Sequence, residues 1–263
     1  MISDQAVERL RTVVTWPDFS GTRYEIVREI GRGGMGSVYE AIDHELGRRV
    51  AIKIAEAASP EARLTAQLEH PGIVPIHDAG TLADGRSFYV MKLVRGETIS
   101  ELTLRTFLRI CEPVAFAHAR GVVHCDLKPS NIMAGEFGEV LVLDWGIANR
   151  RGGTEGYMAP DAVVSPAVDV FALGRILAQC GIDSRRLDAI VAMATSPDPA
   201  MRYPTAAELM DDVARFLDGR DLVAYRESAL ERAGRWVYRH RGLLGIIAAY
   251  IVMRVVILIA FHR

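Results

Sequence analysis

Two short stretches hold side chains whose types and spacing could do chemistry together. The first is His124-Cys125-Asp126-Leu127-Lys128-Pro129-Ser130-Asn131; the second, thirteen residues after the asparagine, is Asp144-Trp145-Gly146. Moving a phosphoryl group from ATP requires a carboxylate to accept the proton of the receiving hydroxyl. It also requires oxygen ligands for Mg²⁺, on a turn rigid enough to keep the reacting atoms in line. Asp126 can supply the first, and Asn131 and Asp144 the second. A single Asp or Asn is ordinarily a turn residue or a helix cap. Eight consecutive positions and a second triplet at a fixed interval are not explained that way.

Upstream, Ile30-Gly31-Arg32-Gly33-Gly34-Met35-Gly36-Ser37-Val38 has the pattern G-x-G-x-x-G-x-V. Glycines at that spacing let a backbone approach phosphates closely, although a flexible hairpin uses the same residues. A dinucleotide-binding fingerprint would need a helix directly after the glycines, and Ser37-Val38-Tyr39 reads on as a strand. Val50-Ala51-Ile52-Lys53 then puts a lysine on the next strand, twenty-two residues after Gly31, where its ammonium could grip phosphate oxygens.

These groups need a scaffold. The chain has 263 residues, 50% of them hydrophobic and 24% charged, so a packed core is expected: one sizeable domain with an appendage. A net charge of −2 provides no basic field, and no nucleic-acid partner is expected. Cys111, Cys125 and Cys180 are odd in number and lack metal-ligand spacing, which fits a reducing, cytoplasmic compartment. The first residues show no basic region followed by an apolar run, so no secretory signal is expected. Five strand-like runs, Tyr24–Ile30, Ser37–Ala41, Arg49–Ile54, Ile73–His77 and Ser87–Met91, with a helix at about Pro60–Leu68, predict a small α+β lobe. After Gly96 the period turns helical: Leu104, Phe107, Leu108, Cys111, Val114, Ala115 and His118 share one face. Further helices are expected at about Val168–Gln179, Arg185–Ala194 and Thr205–Leu217. The expected organisation is a polar lead over 1–23 and a catalytic domain over 24–217, with lobes at 24–91 and 97–217. An Arg- and Glu-rich linker over 218–241 and an apolar segment over 242–261 follow.

In that order and at those intervals, the motifs resemble the eukaryotic-like serine/threonine protein kinases, in particular the bacterial membrane-anchored type, over about Tyr24–Leu217. The resemblance implies a bilobal α+β protein-kinase fold, ATP and Mg²⁺ as cofactors, and protein Ser/Thr hydroxyls as acceptors. By it, Lys53 pairs with Glu61, nine residues before His70-Pro71-Gly72-Ile73-Val74. Met91 matches the gatekeeper, the Lys92–Val94 backbone matches the adenine-binding hinge, and Val38, Ala51 and Met133 would sandwich the base. Asp126 would be the catalytic base, Lys128 would steady the γ-phosphate, and Asn131 and Asp144 would hold Mg²⁺. Lysine at position 128 resembles serine/threonine rather than tyrosine kinases. The run from Gly153-Thr154 to Ala159-Pro160-Asp161 resembles the substrate-docking turn, with Asp161 pairing with Arg202 in place of the usual glutamate, and Asp169 would brace the catalytic loop.

Three departures stand out. Lys53 and Glu61 are only eight residues apart, about half the family's interval, which implies a helix without its first turns. Cys125 stands where the family usually has an arginine that holds a phosphate, and between Gly146 and Thr154 the chain reads Ile-Ala-Asn-Arg-Arg-Gly-Gly, with no hydroxyl. Receiver and phosphosite are missing together, so control by loop phosphorylation is not expected. The interval from Asp169 to Arg202 is also short, which implies a pared-down C-lobe.

Gly242–Phe261 is a twenty-residue apolar run broken by Arg254, about the length a bilayer core demands. Arg232, Arg235, Arg239, His240 and Arg241 precede it with Trp236 and Tyr238, the order of a transmembrane helix whose basic, aromatic side faces the cytoplasm. A single-pass anchor in the cytoplasmic membrane is therefore expected. Buried or partner-paired helices are the alternatives for this run. For the domain as a whole, the alternatives are a nucleotide-binding pseudokinase scaffold and a small-molecule phosphotransferase of similar fold.

Overall fold

The computed structural model describes residues 16–33, 36–55, 64–99, 102–145, 153–160 and 163–261. Strands β1 (Tyr24–Gly33), β2 (Gly36–Asp43), β3 (Arg48–Ala55), β4 (Ile76–Thr81) and β5 (Ser87–Lys92) form an antiparallel sheet in the order β1-β2-β3-β5-β4. Alternation along the strands sends Tyr39 and Ala41, Val50, Ile52 and Ile54, and Phe88 and Val90 to one face, where they pack as a single core. Phe19 joins that core from the polar lead, edge-on to Phe88 with ring centroids 5.0 Å apart. The end of that lead is therefore held to the sheet.

The fourth strand begins at Ile76, three residues later than the apolar run Ile73–His77 suggests. Pro75 has no N–H for a ladder, and Ile73 bridges instead to Val142, beside a hydrogen bond from Val142 N–H to the Gly72 carbonyl (2.8 Å). That short bridge ties the small lobe to the large one. Of the helix expected at about Pro60–Leu68, positions 64–66 are helical, and Glu61 lies outside the described residues.

The large lobe is built on α1 (Leu104–His118), α2 (Pro166–Leu177), α3 (Arg185–Ala194) and α4 (Ala206–Leu217). Phe107, Ile110 and Val114 of α1 meet Leu173 and Ile176 of α2, Ile190 of α3 and Leu209 and Val213 of α4 in a common core. Three of these starts have a local cause. Thr103 caps α1 by accepting from Thr106 N–H (3.1 Å), Pro166 opens α2, and Thr205 with Glu208 forms a capping box on α4. From α2 the chain passes through the 3₁₀ turn Ala178–Cys180 and residues 181–184 directly into α3.

A second sheet was not anticipated. β6 (Gly96–Thr98), β7 (Ile132–Gly135) and β8 (Val140–Val142) pair antiparallel beneath the hinge. The β-branched and apolar runs on either side of Glu136-Phe137-Gly138 were the signal for this hairpin.

Beyond α4, residues 219–227 are held to the lobe rather than running free as a linker. Leu222 is buried, and Asp212 accepts the N–H groups of Val223 (2.8 Å) and Ala224 (3.0 Å). Two helices follow, α5 (Ala229–Arg239), with a Ser228–Glu231 capping box, and α6 (Arg241–Phe261). Ile246, Ile247, Tyr250, Ile251, Val252, Met253 and Ile257 of α6 are exposed. Taken over the described residues alone, no helix is long and apolar enough to cross a membrane.

The β6–β7 pairing tolerates no side chain at Gly96, where a Cβ would stand 2.0 Å from the Ala134 carbonyl oxygen. Gly96→Ala is expected to lower stability by about 1–3 kcal/mol, the usual cost of overpacking a closed contact. Urea denaturation measures it, and an unchanged midpoint would contradict this packing.

Candidate active site

The loop between α1 and β7 is shaped from beneath. Asp169, fully buried on α2, accepts the backbone N–H of His124 (2.7 Å) and of Cys125 (2.9 Å), and the ring of His118 (2.9 Å). His118 Nδ1 in turn accepts Ala206 N–H (3.2 Å), so its Nε2 carries the proton donated to Asp169. The clamp holds Cys125 at a φ of +69°, a left-handed conformation that side chains rarely adopt. His124 packs at a tilt against Trp145, ring centroids 4.6 Å apart, accepts Asp126 N–H on Nδ1 (3.2 Å) and donates from Nε2 to the Leu143 carbonyl (2.9 Å). An N–H can only donate and a carbonyl only accept, so the ring is the Nε2–H tautomer.

These restraints converge on Asp126. Its Oδ2 accepts Lys128 Nζ (2.8 Å), and its Oδ1 accepts the Thr154 hydroxyl (2.6 Å), whose oxygen also accepts Lys128 Nζ (2.7 Å). Burial alone raises its pKa, but the hydrogen bonds from Lys128 and Thr154 outweigh burial and hold the carboxylate below its ordinary range. Asn131 donates Nδ2 to the Asp126 carbonyl (2.9 Å), which fixes its amide orientation and leaves Oδ1 as the acceptor.

Leu143 is gripped at both ends, its N–H by the Asn131 carbonyl (2.8 Å) and its carbonyl by His124. Asp144 follows with a φ of +59°, and its Oδ1 meets Lys53 Nζ at 2.5 Å. Lys53 is buried on β3, opposite Val38 of β2 and Tyr89 of β5.

A cavity of about 540 Å³ lies between the lobes. Ile30, Gly31, Val38, Ala51, Lys53, Met91, Lys92, Val94, Asn131, Met133 and Asp144, all expected from the sequence, line it. Arg32, Gly33, Gly36 and Ser37 belong to the β1–β2 hairpin but not to the cavity wall, and Arg32 is engaged by Glu29 (2.7 Å). Gly34, Met35, Glu61 and Asp161 lie outside the described residues. Arg202, expected to pair with Asp161, is buried and donates to the carbonyls of Ser196 (2.7 Å), Pro197 (3.2 Å) and Ala167 (2.9 Å). Sequence reading missed Thr65, Tyr89 and Leu143 in the wall. Tyr89 was accessible through strand register, since it faces Lys53 across β3 and β5.

The chemistry of this set is legible from its geometry. A carboxylate with a lowered pKa stands beside an ammonium, a second ammonium–carboxylate pair stands at the cavity, and Asn131 lines the same cavity. Asn131 and Asp144 suit a divalent cation that takes one or two protein oxygens and completes its shell from phosphates and water. Among the described residues, no group of three or more His, Cys, Asp or Glu side chains forms a metal cage.

Comparison with known proteins gives the same direction. A family profile described as "Protein kinase domain" matches residues 24–188. The serine/threonine-protein kinase PknD of Protochlamydia amoebophila is 30% identical, over 75% of this chain and 30% of that protein. PknA of Mycobacterium tuberculosis, also a serine/threonine-protein kinase, is 40% identical over 58% of this chain and 45% of that protein. PknD of Chlamydia felis is 30% identical over 75% of this chain and 31% of its own. The chain thus spans less than half the length of these relatives.

The triangle at Asp126 makes a prediction with a definite sign. A depressed carboxylate pKa keeps the charged form present above the ordinary value and loses it only as pH falls through the folded value. Thr154→Val removes one donor, so the Asp126 midpoint should move up. A titration followed by the ¹³C shift of the Asp126 carboxyl measures it, and an unmoved or lowered midpoint would show that the hydroxyl does not stabilise the charge.

Proposed function

This chain belongs to the protein kinase family, and from that premise we propose that it transfers the γ-phosphate of ATP to serine or threonine hydroxyls of other proteins. The observation that carries the reading is the Asp126 carboxylate, held ionised and already bonded to a threonine hydroxyl at 2.6 Å. A substrate hydroxyl at that place would lose its proton to Asp126 as its oxygen attacks phosphorus. Lys128, bonded to the same carboxylate, would donate to the transferred group. Lys53 would hold the earlier phosphates, with Glu61 as its partner on the small-lobe helix. Val38 and Ala51 above and Met133 below would enclose the base, with the Lys92–Val94 backbone along its edge.

Mg²⁺ is the cation we assign to Asn131 Oδ1 and Asp144; when bound it neutralises charge on the phosphates. The protein's own contribution is to present those two oxygens on restrained backbone, since Leu143 is fixed at both its N–H and its carbonyl.

Activity independent of loop phosphorylation is part of the same proposal. The Cys125 thiol is buried, with Sγ 3.6 Å from the Val123 carbonyl, and carries no cation to receive a phosphate. The segment between Gly146 and Thr154 has no hydroxyl, and the Thr154 hydroxyl is committed to Asp126 and Lys128.

We place the protein at the cytoplasmic membrane with its catalytic lobes in the cytoplasm. Support comes from the apolar composition of Gly242–Phe261, the arginines before it, and the uncovered apolar side chains of α6.

Asp126→Asn tests the reaction. Phosphate transfer from labelled ATP to a generic protein substrate should fall by at least about a thousandfold while nucleotide binding persists. Binding with no transfer even in the unsubstituted protein would identify a nucleotide-binding scaffold instead. For the loop, phosphatase treatment of active protein should leave the rate unchanged; a loss of activity that tracks removal of phosphate from 146–154 would refute independence.

A further inference from the structure

Helix α5 has two unlike faces, and the lobe holds only one of them. Glu227, its side chain 4% exposed, pairs with Arg235 of α5 and with Arg186 of α3 (2.8 Å). Arg235 also pairs with Asp221 (2.8 Å) and donates to the Gly219 carbonyl. This clasp fixes the arginine side of α5 against the segment that Asp212 has already fastened to α4. The opposite side carries Leu230, Ala233, Gly234 and Val237, neighbours by their spacing of three and four residues. Leu230 is 85% exposed and Val237 51% exposed, and at their flanks stand Trp236, 55% exposed, and Tyr238. The described structure spends a clasp of buried charge on turning this apolar stripe outward.

Charge identifies what covers it. Between positions 226 and 241 there are five arginines and two glutamates. One of those glutamates is taken by the clasp, and the other closes the α5 capping box. Arg226 and Arg241 are exposed just beyond the two ends of the stripe, while Arg232 stands on the clasp side, 4.0 Å from Asp221. Only His240 separates α5 from the apolar helix α6. A short helix with an apolar stripe, aromatic residues at its edges and cationic flanks is the form that lies in a lipid–water interface. A second copy fits poorly. Two large apolar side chains fall far short of the roughly 800 Å² per partner that a stable dimer buries, and a two-fold contact would bring the same arginines face to face.

We propose that α5 lies in the surface of an anionic bilayer, with Leu230 and Val237 among the upper acyl chains and Arg226 and Arg241 at the phosphate groups. The clasp then makes α5 a shelf on which the catalytic lobes are seated at a set orientation, instead of a loose tether. The inference rests on the membrane attachment proposed above but concerns a different segment, so the two can fail separately.

Tryptophan fluorescence of the full chain, quenched by lipids brominated near the headgroup, tests it. Trp145 is buried and Trp16 half-buried, so Trp236 is the tryptophan placed to meet lipid. Vesicles of phosphatidylcholine, with or without phosphatidylglycerol, serve as probes. The expected result is quenching that strengthens severalfold with phosphatidylglycerol, disappears in Trp236→Phe, and falls about tenfold in Leu230→Glu/Val237→Glu. Vesicle-bound protein without Trp236 quenching would overturn the shelf and leave the α6 anchor standing. Quenching only on anionic vesicles, with no binding to neutral ones, would support the shelf and remove the anchor. Absence of binding to both vesicle types would overturn both. Concentration-dependent self-association abolished by the same double substitution would assign the stripe to a second copy and overturn the lipid assignment.

Discussion

The carboxylate of Asp169 is the point on which the site's geometry hangs. It lies fully buried on α2 and accepts two consecutive backbone N–H groups, from His124 and Cys125, together with the ring of His118. Charge-assisted hydrogen bonds of this kind are worth about 1.5–3 kcal/mol each. A left-handed non-glycine residue costs of order 1–3 kcal/mol. The clamp is therefore strong enough to hold Cys125 at its positive φ, and the turn it enforces aims Asp126 at Thr154 and Lys128. His118 is itself placed by Ala206 N–H, at the first residue of α4. Three helices thus share in fixing one turn of the backbone.

From that turn the restraint passes upward. His124 reaches Leu143 with its ring nitrogen, and Asn131 reaches the same residue with its carbonyl. Leu143 sets the direction of the chain into Asp144, the second residue held at positive φ, whose side chain meets Lys53 from the other lobe. One connected path of hydrogen bonds runs from the α2 carboxylate to the β3 ammonium. The two lobes meet through this path and through the Ile73–Val142 bridge, which is why the cavity between them is lined from both sides.

Burial is used twice in this chain to organise charge, with different results. At Asp126, partners overcome burial and keep a carboxylate ready to accept a proton. At Glu227, two arginines surround a buried carboxylate, and the product is a fixed orientation of α5. A buried pair is weak evidence for stability as such, and its best-attested use is to specify one arrangement over others. Both sites fit that use.

Much of this was readable without coordinates, for identifiable reasons. Period and local chemistry placed α3 and α4 to within a residue and the apolar face of α1 correctly, because their apolar faces are regular. The positions of Asp126, Asn131, Asp144 and Lys53 were legible because phosphate chemistry demands those residue types at fixed intervals. The β6–β7–β8 sheet and the start of β4 were not. Strand pairing depends on which distant segment offers a free edge, and the effect of Pro75 was to pass Ile73 to Val142 rather than to a neighbouring strand. The stretch after Leu217 looked like linker because its arginines and glutamates are ordinarily solvated, and only packing reveals that Glu227 lies between two of them. The sequence by itself determined which groups are available for chemistry and which faces are apolar, since both follow from residue type and local period. Tertiary structure alone decided the left-handed turn at Cys125, the Lys128 and Thr154 partners that hold the Asp126 pKa down against burial, and the outward stripe of α5. Each of these arises where residues far apart in the chain are forced to share one small volume, and no local pattern encodes that meeting.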